Sequence, residues 1–102
     1  MDTQITARHF KARESLKAHV EERVSQLEKY YNGITGAHVI LENGTPGVKS
    51  AEINLNVRRQ HLVAKEESST YETAVDNCVN QLKRQLLRHK DKLRSKERDH
   101  FK

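Results

Sequence analysis

Lys49-Ser-Ala-Glu-Ile-Asn-Leu-Asn-Val-Arg58 alternates without a break, with Ala51, Ile53, Leu55 and Val57 in one set and Glu52, Asn54, Asn56 and Arg58 in the other. A period of two with one apolar and one polar set is the pattern of an antiparallel strand, one face in a core and the other in water. The residues on either side extend the same sheet. Before it, Asn43-Gly-Thr-Pro-Gly47 is the strongest turn signal in the chain and follows the β-branched run His38-Val-Ile-Leu-Glu42, which predicts a hairpin. After it, Gln60 to Glu66 continues through Leu62 and Ala64 as a further strand, and Thr3 to Arg8 alternates as a short first strand.

Two segments have helical periodicity instead. Between Glu14 and Asn32 the apolar positions are Leu16, Val20, Val24, Leu27 and Tyr31, which predicts one amphipathic helix of about five turns stopped by Asn32-Gly33. Ser68-Ser-Thr70 with Glu72 supplies capping groups for a last helix. Its stripe is Tyr71, Val75, Cys78, Val79, Leu82, Leu86 and Leu93, and it is expected to end in the mid-nineties. The order β-α-β-β-β-α, with two single-striped helices and a sheet apolar on one side, predicts an α+β two-layer sandwich: a four-stranded sheet with both helices on one face. A single domain over 1–95 and a short flexible basic tail over 96–102 are expected.

Composition removes several classes of function. With 102 residues and one cysteine, the chain can hold neither an internal disulfide nor a multi-cysteine metal centre. The six histidines are scattered, none pairing at helical spacing with another His or Cys, so no metal site and no cofactor are expected. No nucleophile elbow, paired-carboxylate pocket or phosphate-cradling glycine loop occurs, which argues against an enzyme. No apolar run approaches the roughly 20 residues of a membrane span, and no signal-peptide core is present, so a cytoplasmic protein without a membrane partner is expected.

The net charge of +5 is unevenly placed. Residues 1–80 hold ten Lys or Arg against eleven Asp or Glu, whereas residues 81–102 hold nine against three. On a helical projection with Leu82 at zero, Lys83, Lys90 and Arg94 fall on one flank of the apolar stripe and Arg84, Arg88 and Lys92 on the far side. Like charges at i, i+4 repel, so a helix that needed only solubility would mix in acids, as the first helix does with Glu21, Glu22 and Glu28. A one-sign run over three turns points to a polyanion. Arg58 and Arg59 at a strand end, and Arg8 with Lys11 after the first strand, are secondary candidates. His89 lies on the apolar stripe and reads as packed, Cys78 as a buried small hydrophobe, and only Tyr30 leans out far enough to offer a stacking surface.

Ser69-Thr-Tyr-Glu-Thr-Ala-Val-Asp76 and Gln81-Leu-Lys-Arg-Gln-Leu-Leu-Arg-His-Lys-Asp-Lys-Leu93 resemble the short ribosome hibernation promoting factors and the related ribosome-associated inhibitor (protein Y), also called the sigma-54 modulation family. Gln4-Ile-Thr6 and Gln26-Leu-Glu-Lys-Tyr-Tyr31 support the same resemblance, which covers nearly the whole chain. Two departures stand out: Gln81 where the family usually has lysine, and Arg13 where it usually has a capping threonine. The tail Ser95–Lys102, with a net charge of +1, is similar to the short factors rather than to the acidic-tailed inhibitor.

The resemblance implies binding to the small ribosomal subunit, in the channel that messenger and transfer RNAs would occupy, with translation blocked and idle ribosomes preserved under stress. It implies ribosomal RNA as the partner of Arg84, Arg88, Lys90, Lys92 and His89, with Arg23 and Lys29 of the first helix in a lesser role. Lys83 and Arg94 complete the expected RNA-binding set from the helix itself. A separate ribosome modulation factor is a further implied partner, and a monomer is expected off the ribosome. Two rival readings remain open at the level of sequence: a free-standing double-stranded RNA module, and a protein-binding regulator of transcription.

Overall fold

The computed structural model describes the backbone of residues 1–100 and the side chains of residues 1–91. In chain order it contains β1 (Asp2–Arg8), α1 (Glu14–Ser25), a 3₁₀ turn (Gln26–Lys29), β2 (Ile34–Asn43), β3 (Lys49–Val57), β4 (Gln60–Ser68) and α2 (Tyr71–His100). The strands form one sheet in the order β1-β2-β3-β4, with β1 parallel to β2 and the other pairs antiparallel. Register places Ala37, Leu55 and Leu62 in one row and Val39, Ile53 and Ala64 in the next. All six are buried, in the same cluster as Leu16, Val20, Val24 and Leu27 from the first helical segment and Val75, Cys78, Leu82 and Leu86 from α2. Both helices therefore cover one face of the sheet, and the two-layer α+β sandwich expected from the sequence is the observed fold.

The local corrections have identifiable causes. The expected five-turn first helix is shorter, because after Ser25 the chain tightens into the 3₁₀ turn. The apolar stripe steps by four from Leu16 to Val20 to Val24, then by three to Leu27, and a three-residue period suits the tighter turn. β2 begins at Ile34 rather than His38, because an irregularity between Ile34 and Gly36 breaks the alternation that marks a strand in sequence. Buried Ile34 and Ala37 flank exposed Thr35 there. β4 runs two residues further than expected, through Ser68, so the cap of α2 falls to Thr70, whose hydroxyl accepts from the Thr73 amide at 3.2 Å. The β2–β3 turn closes as expected, with the Val48 amide donating to the Thr45 carbonyl at 2.9 Å and Gly47 at φ +81°. α2 extends to His100, past the mid-nineties. Residues 101–102 of the tail expected over 96–102, and the side chains of residues 92–100, those of Lys92, Leu93 and Arg94 among them, lie outside the described residues.

Cys78 is fully buried and its thiol donates to the Ala51 carbonyl at 3.3 Å. Burial, with Glu66 and Glu52 nearby, pushes the thiol up to about 12 from an ordinary value of 9.0. Between those two values the unfolded chain loses the thiol proton and the folded chain keeps it, so this group costs stability as pH rises from 9 towards 12 and has no effect below 9. Denaturant titrations should show wild type losing stability relative to Cys78→Ala across that window, with a limiting slope of about 1.4 kcal/mol per pH unit. A difference independent of pH up to 12 would contradict the burial of this thiol.

Candidate nucleic-acid interface

α2 is a helix with two halves. Its first three turns contain no lysine or arginine and pack against α1, where Asp76 accepts from His19 Nε2 and Arg23 Nε, both at 2.9 Å. The Arg23 guanidinium also donates to Gln26 Oε1 at 3.2 Å. Arg23, a lesser candidate for RNA contact, is thus already committed to an ion pair that ties the two helices together. Lys29 stays exposed on the 3₁₀ turn beside Tyr30.

The basic half begins at Lys83. Leu82 and Leu86 are buried against the sheet, which forces Lys83, Arg84 and Arg88 into solvent on the remaining faces of the helix. Lys83 is not free: its ammonium lies 4.9 Å from the centre of the Tyr30 ring, so the aromatic expected as a stacking platform holds a cation instead. Arg84 and Arg88 form no ion pair or hydrogen bond among the described residues. Lys90 is half-buried, and Leu87, 42 % exposed, sits within the cationic surface. An exposed leucine there was not anticipated, because its position on the projection is neither in the stripe nor charged. His89 is buried, as its place on the stripe predicted, with the Tyr31 ring edge-on at 5.3 Å. Lys92 and Arg94 continue the run in sequence, but their side chains lie outside the described residues.

The secondary candidates are spread over other loops. Arg58 and Arg59 make the two-residue β3–β4 turn, both exposed, with Arg59 at φ +68°. A left-handed backbone at a residue with a Cβ costs about 1–2 kcal/mol and is usually given to glycine. The Arg58 amide donates to the Gly33 carbonyl at 2.9 Å, anchoring this turn to the loop before β2. Arg8 is exposed at the end of β1, and Lys11 is exposed beyond it. His9, between them, lies 3.8 Å from Glu42. The structure therefore brings the α2 cations together and leaves these arginines and lysines at separate edges.

The uncovered face of the sheet has a different chemistry. Thr6 Oγ1 and His38 Nε2 are 2.8 Å apart, His61 bridges Asn56 and Asn54 at 2.7 and 3.2 Å, and Asn54 donates to Glu52. These side chains satisfy one another, which leaves little hydrogen-bonding capacity for a ligand. No group of acidic, histidine or cysteine side chains among the described residues could hold a metal ion. None of the described helices is long and apolar enough to cross a membrane.

Comparison with known proteins agrees with this architecture. The chain is 32 % identical to the ribosome hibernation promoting factor of Azotobacter vinelandii over 90 % of its own length and 85 % of that protein. The fold is similar to the N-terminal domain of Thermus thermophilus protein Y, with a TM-score of 0.79 at 24 % identity over 87 % of this chain and 99 % of that one. It is similar also to a ribosomal subunit interface protein from Coxiella burnetii, with a TM-score of 0.83 at 21 % identity over 89 % and 99 % of the two chains. The profile of one family matches residues 3–94, nearly the whole domain, and the chain belongs to that family, described as sigma 54 modulation protein / S30EA ribosomal protein.

Proposed function

We propose that this protein is a ribosome hibernation factor that binds the small ribosomal subunit in the messenger and transfer RNA channel through the basic half of α2. Binding there inhibits translation and preserves inactive ribosomes under stress. The observation that carries the reading is the exposed pair Arg84 and Arg88, without an ion pair or hydrogen bond among the described residues, on a helix whose opposite side is locked into the core. A rigid element with anchored apolar residues presents its cations at fixed spacing, which suits the repeating phosphates of structured RNA. The ribosome hibernation promoting factors among its relatives support reading that polyanion as part of the ribosome. On this reading the contacts are to ribosomal RNA, the protein acts in the cytoplasm as a monomer off the ribosome, and it has no catalytic role. A separate ribosome modulation factor is a further partner where the cell supplies one. Lys83 and Lys90 extend the surface, Lys92 and Arg94 continue the basic run in sequence, and Arg58, Arg59, Arg8, Lys11 and Lys29 contribute at its margins. The absence of basic residues from the first three turns of α2 disfavours a free-standing duplex RNA module.

Occupancy of the channel has a direct consequence. Added to a cell-free translation system, the protein should inhibit initiation, and excess initiator transfer RNA with messenger should relieve the block. Inhibition that ignores transfer RNA occupancy would place the protein elsewhere on the ribosome.

A further inference from the structure

α2 loses its footing on the sheet before its basic half ends. Among the described residues, Leu86 is its last apolar side chain in the core cluster. Its last hydrogen bond to a strand there is made by the Gln85 side-chain amide, which donates to the Val63 carbonyl at 3.1 Å. One turn on, a half-open cavity of about 130 Å³ lies between the helix and the start of β4, lined by Gln60, Leu62, Gln85, Arg88 and His89. His89 is nevertheless buried, only 7 % exposed. The Tyr31 ring packs against it edge-on at 5.3 Å, and Tyr31 does not line the cavity. The helix is therefore supported here from the loop after α1, with free space on the β4 side.

Tyr31 is itself held from behind. Its ring lies against the backbone of Gly33, where a Cβ would fall 2.5 Å from Tyr31 Cε2 and 2.7 Å from its Cζ and hydroxyl oxygen. Gly33 does not have a left-handed backbone, so this position needs glycine for the close approach and not for its φ. The Gly33 carbonyl accepts from the Arg58 amide at 2.9 Å, which ties the loop to the β3–β4 turn. The neighbouring Tyr30 holds the Lys83 ammonium 4.9 Å from its ring centre. Lys83 and His89 stand about 9 Å apart along the helix axis, and two contacts at that spacing fix both the tilt and the rotation of α2. We infer that Tyr31 is a positioning residue for RNA binding: lodged between Gly33 and His89, it holds α2 off β4 and sets where Arg88 presents its guanidinium. The inference rests on the RNA partner of the proposed function. Without the ring, the helix leans into the cavity and carries Arg88 towards Gln60.

The test measures binding of the folded chain and its variants to purified small ribosomal subunits. Tyr31→Ala should bind about five- to eightfold more weakly than wild type at about 0.1 M salt, the worth of one phosphate contact. Adding Arg88→Ala to Tyr31→Ala should cost almost nothing more, because the displaced arginine has already lost its contact. Tyr31→Phe keeps the ring and should bind as wild type does. Hydrogen exchange at the amides of residues 87–91 should quicken in Tyr31→Ala and keep the wild-type rate in Tyr31→Phe. Gly33→Ala, whose methyl group displaces the ring, should repeat the Tyr31→Ala results and decides the matter where Tyr31→Ala does not fold. Additive losses from Tyr31→Ala and Arg88→Ala, weakened binding by Tyr31→Phe, or unchanged exchange in Tyr31→Ala would each overturn the inference. If Arg88→Ala weakens binding and Tyr31→Ala does not, the positioning role is wrong and the ribosomal reading stands. If wild type does not bind small subunits, the ribosomal reading itself falls, and the exchange rates alone decide whether Tyr31 holds the helix.

Discussion

Replacing Arg84 and Arg88 together with alanine should weaken ribosome binding about 25- to 60-fold at 0.1 M salt, because each phosphate contact contributes about 0.7–0.9 to the log–log salt slope. The same argument sets the salt dependence: the variant's slope should be shallower by about 1.4–1.8, so its disadvantage shrinks as salt is added. Both side chains are exposed and have no ion pair or hydrogen bond among the described residues, so thermal stability should change little. The matched control is Lys17→Ala with Lys49→Ala, which removes the same charge elsewhere. Lys17 lies 3.7 Å from Glu14, and Lys49 donates to Asn43 and lies 5.4 Å from the Tyr71 ring, so both cations already have local partners. Equal weakening by the two double variants would mean that net charge alone governs binding and that α2 has no special place.

Leu82→Ala should do the reverse. Leu82 is fully buried where α2 meets the sheet, in one cluster with Ile53, Leu55 and Ala64. Truncation there removes transfer free energy and leaves a cavity that the rows of β3 and β4 cannot fill, a cost of about 2–5 kcal/mol. Small domains have only about 5–15 kcal/mol in total, so the midpoint of urea denaturation should fall steeply. Affinity per folded molecule should be unchanged, since the exposed cations keep their helix. A folded Leu82→Ala protein that binds poorly would show that core packing at this position tunes the cationic surface directly.

How far the sequence predicts this molecule differs between its parts, for physical reasons. Alternation in Lys49–Arg58 and the Asn43–Gly47 turn identify a two-sided antiparallel sheet, because one face of those strands is wet and the pattern survives. The same rule conceals the start of β2, where the irregularity between Ile34 and Gly36 shifts the register. α2 was legible because its stripe is unbroken, and its cations were legible because charge on a helix reports its face. What sequence could not show were the pairings made across elements. Asp76 meets His19 and Arg23, Lys83 meets Tyr30, and Gln85 reaches Val63, each over a separation that only the packed layers bring together. These contacts remove Arg23 and Lys83 from the fully free cations and leave Arg84 and Arg88 at the centre of the candidate surface. His89 was legible as a buried residue, but that its Nε2 has no hydrogen-bond partner among the described residues is visible only in three dimensions.

The claim that the basic half of α2 docks this chain in the RNA channel of the small subunit is tested most directly by sedimentation with purified small subunits. One arm uses empty subunits and the other uses subunits filled beforehand with messenger and initiator transfer RNA. The protein should sediment with the empty subunits at low salt and be excluded from the filled ones. Equal binding to both would contradict it.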